Sequence, residues 1–203
     1  DSVVPPPLRQ EWKRLQEIKA IKLWNLGGVT NVPRRLQTRA DADPSRRALL
    51  RLFVLIDSDT PEPWQDHTQL PRDPREAVRK AEGLKVAFHV LKRRMSENYT
   101  PPAALKRWVE TQNGTDQQEK RDHAAAFAHL SPERRHHHHL KDGIKVGEEK
   151  LYEPISPELL TKLKKRLGDS TYKAIANPIE DELRQYGAYS ELSSVFQAIF
   201  KLA

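Results

Sequence analysis

The sequence predicts an α/β protein, with a mostly parallel sheet and flanking helices over residues 1–100 and a mainly helical extension over residues 101–203. Three observations predict this class. The run LLRLFVLID is apolar on both faces, as a central strand covered by helices is. Helix-like and strand-like segments alternate before residue 100. From Pro101 onward the spacing is helical, and several segments begin with Ser or Pro and end with Gly.

The N-terminal segments predict alternating elements. LRQEWKRLQEI places Leu8, Trp12, Leu15 and Ile18 near helical spacing, so it predicts an amphipathic helix. AIKLWNL predicts a short strand, which a pair of glycines stops. NVPRRLQTRA then predicts a short helix and DADPSRR a loop, before the strand LLRLFVLID.

The middle of the chain completes the predicted sheet. A polar, proline-rich loop follows the strand LLRLFVLID, REAVRKAEGL predicts a helix that ends at Gly83, and KVAFHVLK predicts the next strand. This order is typical of strands joined by crossover helices. Five further helices are predicted in the C-terminal half, from PAALKRWVETQNG, EKRDHAAAFAHL, SPELLTKLKKRLG, PIEDELRQYG and AYSELSSVFQAIFKLA.

The net charge of the chain indicates which class of partner it binds. The 203 residues include 35 Lys and Arg against 28 Asp and Glu, which gives a formal net charge of +7. Such an excess favours a polyanionic partner. We expect nucleic acid and no membrane, because the sequence has no basic amphipathic anchor, no lipidation motif and no run of roughly 18 apolar residues.

The chain contains no cysteine, which excludes disulfides, zinc–thiolate sites and thiol nucleophiles. This composition fits a reducing compartment, and we predict a cytoplasmic protein. The first residues, DSVVPPPLRQ, resemble neither a signal peptide nor a transit peptide, so we expect a truncated or processed chain. The oligomeric state stays open, with a homodimer among the alternatives.

Asp57 and Asp59 follow directly after the clearest predicted strand. Ligand sites of parallel sheets gather beyond the carboxyl ends of the strands. Side chains two positions apart in a strand point the same way, so both carboxylates could share one cation. Mg²⁺ prefers such hard oxygen ligands. The alternative is a loop in which either aspartate makes an Asx turn, but the position after a buried strand favours a metal site.

A second polar group follows the next predicted strand, in HVLKRRMSENYTPPAAL. Glu97 could meet the two aspartates at the same edge of the sheet. The basic residues Lys92, Arg93 and Arg94 could contact phosphates, since the planar guanidinium of arginine suits them. The alternative is that Ser96 or Asn98 caps a turn while the basic residues are solvated.

The run His136–His139 and Trp64 are weaker candidates. Consecutive histidines cannot all face one ion in regular structure, so we expect an exposed stretch that faces phosphate beside Arg134 and Arg135 rather than a metal site. Tryptophans can stack on bases. Three of the four tryptophans lie in predicted helix or strand and are expected in the core, which leaves Trp64 as the candidate.

Several segments together resemble the Toprim domain of the overcoming-lysogenization-defect (OLD) nucleases and of related anti-phage proteins. RLFVLIDSDT is similar to that family's apolar strand ending in Asp-x-Asp, and VLKRRMSENYTPPAAL to a strand that leads into Arg-Glu-Ile-Glu-Asn-Tyr before a proline. KLWNLGGVTNV and HHLKDGI resemble further family segments. The resemblance covers residues 20–105 well and 136–150 more thinly, and Met95 stands where the family has its first glutamate.

The resemblance implies a Toprim-like, Rossmann-like core and a metal-dependent nuclease. By it, Asp57, Asp59 and Glu97 bind Mg²⁺ or Mn²⁺, and Glu97 and Lys141 act in catalysis. Two metals about 4 Å apart can activate a water and stabilise the leaving oxygen of a phosphodiester. A lysine ammonium such as that of Lys141 can neutralise charge on the attacked phosphate. The target is DNA or RNA, and the residues do not choose between them.

The family also implies features that the sequence lacks. Toprim domains have a glutamate at the end of their first strand, and we expect it upstream of Asp1, so that this fragment alone would be inactive. The family often works with an ABC-type ATPase in phage defence, and since the chain has no P-loop motif, we expect that partner to be separate. The alternative hypothesis is a non-catalytic basic scaffold or assembly module, which the missing glutamate and Met95 favour.

Overall fold

The computed structural model describes residues 4–21, 28–42, 45, 49–111, 113–167 and 180–203. In this part of the chain the fold is mixed α/β and mostly helical, which confirms the coarse fold class. The described sheet has two parallel strands, β1 (Phe53–Ile56) and β2 (Ala87–Val90), with Ile56 opposite Val90. The strand predicted from AIKLWNL falls mostly on residues 22–27, outside the described residues.

Helices cover the two strands and form the first core. Helices α1 (Arg9–Glu17) and α2 (Val32–Ala42) precede β1, and α3 (Arg72–Gly83) connects the strands, as a parallel pair requires. The helix predicted to end at Gly83 is confirmed. The first core buries apolar residues from both strands, from α2 and α3, and from the segments between them: Val32, Leu36, Ala40, Leu49, Val54, Ile56, Trp64, Leu70, Ala77, Val78, Ala81, Leu84, Val86 and Val90.

Helices, separated by irregular segments such as residues 138–148, make up the described chain after residue 100. Ser131 and Ser156 begin two of these helices by accepting hydrogen bonds from the backbone N–H groups of Arg134 and Leu159. None of the described helices combines the length and the apolar character that crossing a bilayer requires. The helices are α4 (Pro102–Glu110), α5 (Gln117–His129), α6 (Pro132–His137), α7 (Pro157–Leu163), α8 (Glu180–Gln185) and α9 (Tyr189–Phe200).

The helices of the C-terminal half form a second core and also pack back on the first half. Phe127 of α5 is fully buried in the second core, among apolar side chains of α4, α7 and the segment after α6. Helix α9 places Leu192 in a buried apolar cluster with Leu91, which follows β2. It also packs Phe196 edge-on against Trp12 of α1, with ring centroids 5.1 Å apart. The C-terminal helix therefore contacts both ends of the predicted α/β core.

Gly143 lies in the segment that follows α6, and its substitution tests how closely this segment packs against α7. Its φ is +72°, and a Cβ atom there would lie 2.6 Å from the carbonyl oxygen of Leu163. We expect Gly143→Ala to lower the free energy of unfolding by about 2–5 kcal/mol, because left-handed backbone costs about 1–2 kcal/mol and overpacking about 1–3 kcal/mol. Urea unfolding followed by circular dichroism measures this loss.

Gly147→Ala is the matched control. Gly147 also has a positive φ, +88°, but a Cβ atom there would have no other atom within 4 Å. We expect the control to lose only the backbone share of about 1–2 kcal/mol. Equal losses in the two variants would contradict the close approach of the Gly143 turn to α7.

Candidate functional site

The loops that follow β1 and β2 are joined at the carboxyl edge of the sheet. The backbone N–H of Leu91 donates to the carbonyl of Ile56 at 2.9 Å, which extends the parallel pairing past the strands. Beyond it, the Ser58 hydroxyl donates to the Arg93 carbonyl at 2.9 Å. The N–H of Ser96 then donates to Oδ1 of Asp57, also at 2.9 Å. The two loops are therefore held together by hydrogen bonds, and they position the side chains that follow.

Asp57, Glu97 and Lys141 meet at this edge. Nζ of Lys141 lies 2.7 Å from Oε1 of Glu97, whose side chain is only 8% exposed. The Ser96 hydroxyl donates to the other carboxylate oxygen of Glu97 at 3.0 Å. Lys141 comes from the segment after α6, in the Lys-Asp-Gly turn. The structure thus brings together three of the residues predicted for the site, and Ser96 bonds to both carboxylates.

Asp57 is the most perturbed acid of this site. Loss of hydration and the neighbouring charge of Glu97 raise the pKa of the Asp57 carboxyl from its ordinary value of 3.8 to about 7. The hydrogen bond from the Ser96 N–H and the charge of Lys141 oppose that rise in pKa without cancelling it. The carboxyl of Asp57 is therefore unusually basic for an aspartate.

Asp59 does not join this pair. The strand ends at Ile56 and Asp59 has a left-handed φ of +50°, so the alternation that would turn both aspartates the same way is broken. Its carboxylate instead lies 3.4 Å from Nε of Arg94 and 3.7 Å from Nζ of Lys145. The two aspartates are therefore not aligned by strand alternation, and their binding of one cation stays a prediction. Across the described ranges, no three His, Asp or Glu side chains are grouped to hold a metal ion.

Arg93 and Arg94 are buried, which corrects their prediction as phosphate contacts. Arg94 is 2% exposed and donates to both carboxylate oxygens of Glu148, at 2.8 and 3.1 Å. Arg93 is 4% exposed and donates to the carbonyls of Asn98 and Tyr186, each at 2.6 Å. Both guanidinium groups are already paired inside the fold, so neither is available to a phosphate at the surface.

The other predicted phosphate contacts differ in their exposure. Lys92 is exposed, and its ammonium lies 4.3 Å from the ring centroid of Trp64. Arg134 and Arg135 are half-buried, and Arg135 donates to the carbonyl of Ala128 at 3.1 Å. Binding of nucleic acid by Lys92, Arg134 and Arg135 stays a prediction. Trp64 itself is buried and donates to the Leu91 carbonyl at 3.2 Å, so it is part of the core rather than an open platform for a base.

The histidine run is buried rather than exposed, contrary to the prediction. His137, His138 and His139 are each at most 5% exposed, because α6 ends at His137 and the chain then passes through the interior. Nδ1 of His138 lies 2.8 Å from the hydroxyl of Tyr152, and its Nε2 lies 3.0 Å from Nε2 of His123. Burial lowers the pKa of His123 to about 4 and also lowers the pKa of His138, so both imidazoles are neutral at physiological pH.

Asn98 supports the site in a way that the sequence analysis did not anticipate. Its amide nitrogen donates to the carbonyls of Arg135 and His138, at 2.8 and 2.9 Å. Its amide oxygen accepts from the N–H of Met95 at 3.1 Å, so Asn98 caps a turn as the alternative had it, although Arg93 and Arg94 beside it are not solvated. The side chain is fully buried, and it joins the turn that carries Glu97 to the segment that leads to Lys141.

Comparison of the chain with protein-family models, with curated proteins and with solved structures finds no match. Functional inference therefore has two sources, the geometry of the site and the resemblance of its segments. Both concern the same short stretches of chain, around Asp57, Glu97 and Lys141.

The raised pKa of Asp57 predicts a measurable pH dependence of stability. Between about pH 4 and pH 7 the folded state keeps the proton of Asp57 and the unfolded state loses it, so the free energy of unfolding falls as pH rises. Asp57→Asn removes this penalty and keeps an oxygen that can accept from Ser96. We expect the variant to be more stable than the wild type at pH 8, by on the order of 4 kcal/mol, with no gain below about pH 4.

Asp66→Asn is a control for which we expect the opposite change in the free energy of unfolding. Hydrogen bonds from the hydroxyl and the backbone N–H of Thr68 lower the pKa of Asp66. Its substitution should destabilise the protein at pH 8, and the loss should shrink as pH falls toward the lowered pKa of Asp66. Chemical unfolding of both variants across this pH range makes the comparison. A destabilised Asp57→Asn at pH 8 would show that the carboxylate is favourable where it lies.

Proposed function

We propose that this chain carries the metal-dependent phosphodiesterase site of a Toprim-type nuclease. The observation that supports the proposal is the meeting of Asp57, Glu97 and Lys141 at the carboxyl edge of two parallel strands. Ligand sites of open α/β sheets gather beyond this edge. Three separate segments supply the side-chain types that phosphodiester hydrolysis uses, which are hard oxygen donors for a cation and an ammonium for phosphate charge.

The donor set fits one hard cation. Mg²⁺ is usually held by one or two carboxylates, with water and phosphate oxygens completing its shell. Asp57 and Glu97 would be those two ligands. Bound Mg²⁺ or Mn²⁺ would supply an activated water and stabilisation of the leaving oxygen. A pair of metals held by three carboxylates fits less well, because Asp59 is engaged with two cationic side chains.

The other residues of the site have roles that do not depend on a metal. Ser96 orients both carboxylates, since its N–H donates to Asp57 and its hydroxyl donates to Glu97. Lys141 neutralises Glu97 and places an ammonium where a phosphodiester under attack gains negative charge. Ser96 and the segment that carries Lys141 would thus keep the site assembled before substrate arrives.

The biological setting is part of the same proposal. The net charge of +7 supports a nucleic-acid substrate, DNA or RNA. The resemblance of the segments around Asp57, Glu97 and Lys141 to OLD-family nucleases supports a role in phage defence, with an ABC-type ATPase as partner.

A non-catalytic scaffold is the second candidate, and one observation favours it. Two of the three predicted carboxylates are paired with cations of the protein itself, Glu97 with Lys141 and Asp59 with Arg94. A surface whose charges are balanced in this way does not need a metal to be stable. Metal binding and cleavage therefore separate the two candidates.

Substitutions at the three residues test the nuclease. With Mg²⁺ or Mn²⁺ and the full-length protein, we expect Asp57→Asn, Glu97→Gln and Lys141→Met each to slow cleavage of labelled DNA or RNA by about 100-fold or more, the usual loss when a group that stabilises the transition state is removed. Asp66→Asn is the control, because its exposed carboxyl caps a turn outside the site. Cleavage by Asp57→Asn at the wild-type rate would rule out this site.

Calorimetry with Mn²⁺ separates the two candidates even without a substrate. A metal site predicts binding that is lost when Asp57→Asn and Glu97→Gln are combined and is kept in Asp66→Asn. A scaffold predicts no binding that depends on Asp57 or Glu97. We also expect Asp59→Asn to bind Mn²⁺ nearly as the wild type does, because Asp59 lies with Arg94 and Lys145.

A further inference from the structure

A groove lies between α2 and α3, and we call it the α2–α3 groove. Its cavity volume is about 530 Å³. Arg34 of α2 and Glu76, Arg79 and Lys80 of α3 supply its charged side chains, and Gly83 at the end of α3 also lines it. Arg34 and Arg79 are exposed, and Lys80 is half-buried. None of these residues belongs to the candidate nuclease site.

The described hydrogen-bond partners of two cations in this groove are uncharged. Lys80 bonds to the side-chain amide oxygen of Gln37, and Arg34 to that of Asn31 at 3.5 Å, and neither of these partners carries a charge. Within the described residues, no carboxylate forms an ion pair with Arg34, Arg79 or Lys80. The single acid of the lining, Glu76, is paired with Arg72 at 3.1 Å. The groove therefore presents three cations that an anionic ligand can neutralise, unlike the buried arginines that follow β2.

The surroundings favour the phosphates of a nucleic acid over a membrane. A helix that binds a membrane surface inserts an apolar face into the lipid. The exposed large apolar residues of the described chain are Ile18, Leu55 and Val146, and none of them lines the groove. A concave surface with cations and without an apolar wedge suits a phosphate backbone, which basic side chains bind independently of sequence.

The position of the groove relative to the candidate site sets the length of such a ligand. Helix α3 ends at Gly83 and leads directly into β2, so this end of the groove lies near the amino ends of the strands. The Asp57–Glu97 pair lies beyond their carboxyl ends. A strand of four residues spans roughly 13 Å, and backbone phosphates repeat about every 3.4 Å along one strand of a duplex. Contact with both places requires more than about four nucleotides.

We propose that the α2–α3 groove is a second nucleic-acid contact, which binds the phosphate backbone several nucleotides away from the cleaved bond. The proposal rests on the proposed function in taking the polyanion to be the substrate of the Asp57–Glu97 site. It adds the place on the protein where the rest of that substrate lies. It also assigns a role to Arg34, Arg79 and Lys80.

Binding measured without divalent ions tests this proposal separately from catalysis. The probes are labelled duplexes of about 20 base pairs, one of DNA and one of RNA, titrated in EDTA between about 50 and 200 mM salt. We expect the combined variant Arg34→Gln and Arg79→Gln to reduce the slope of log K against log salt by about 2, one for each lost phosphate contact. Whichever duplex the wild type binds more tightly, DNA or RNA, is identified as the ligand.

Arg14→Gln combined with Arg184→Gln is the matched control. It also removes two positive charges, but from arginines that are about half exposed and paired with Glu11 and Glu180. This control should leave the slope close to the wild-type value. Equal slopes for the groove variant and the control would overturn the proposal. Tighter binding to phosphatidylserine vesicles than to either duplex, lost in the groove variant, would also overturn it.

The outcomes for the groove and for the nuclease are independent. Duplex binding in EDTA that depends on Arg34 and Arg79 supports the groove even if no cleavage is found with Mg²⁺.

Discussion

The buried guanidinium of Arg94 is the interaction on which the candidate site depends. It binds both carboxylate oxygens of Glu148 and the carbonyl of His137, and the Arg94 carbonyl accepts from the N–H of Asp59. One residue thus joins the loops after both strands to the segment that runs from α6 to Glu148. Removing one partner of a buried ion pair leaves an uncompensated charge, at a cost of about 3–5 kcal/mol. Lys141 lies within that segment, so its place beside the carboxylates depends on Arg94.

The three consecutive residues of the short turn Glu97-Asn98-Tyr99 contact three different parts of the structure. Glu97 faces the candidate site, while the side-chain amide of Asn98 donates to the backbone carbonyls of Arg135 and His138. The Tyr99 hydroxyl donates to the carboxylate of Glu191 on α9. Glu191 also accepts from the Lys92 N–H at 2.9 Å, which ties α9 to the end of β2. The turn is therefore the point where the sheet, the histidine segment and the C-terminal helix meet.

Much of the fold could be predicted because it depends on local patterns. The apolar run before Asp57, the crossover helix and the strand after it follow from hydrophobic periodicity and glycine placement. The meeting of Asp57 and Glu97 follows from strand order, since parallel neighbours end at one edge. The position of Lys141 was expected only from the family resemblance, because no spacing rule connects it to residues more than 40 positions earlier.

The errors of prediction also have physical causes. Asp59 does not align with Asp57 as a strand would require, because its backbone adopts a left-handed φ of +50°. Composition does not reveal such a conformation for a non-glycine residue. Arg93 and Arg94 were expected at the surface because charged residues are seldom buried without partners. Their partners Tyr186 and Glu148 lie 93 and 54 positions further along the chain. Burial of these arginines is a property of the tertiary structure, and the local sequence carries no sign of it.

The contrast between two carboxylate groups of this molecule bears on function. Glu148 and Arg94 compensate each other in the interior, and such a pair serves the fold. Burial and the nearby charge of Glu97 raise the pKa of Asp57, although Ser96 and Lys141, which is paired with Glu97, oppose the rise. Stability alone gives no reason to keep such a pair, and perturbed acids of this kind concentrate at functional sites. A divalent cation or a proton would relieve the repulsion within this pair, so the metal ion of the proposed site would be held by Asp57 and Glu97 rather than by the charge-balanced Asp59.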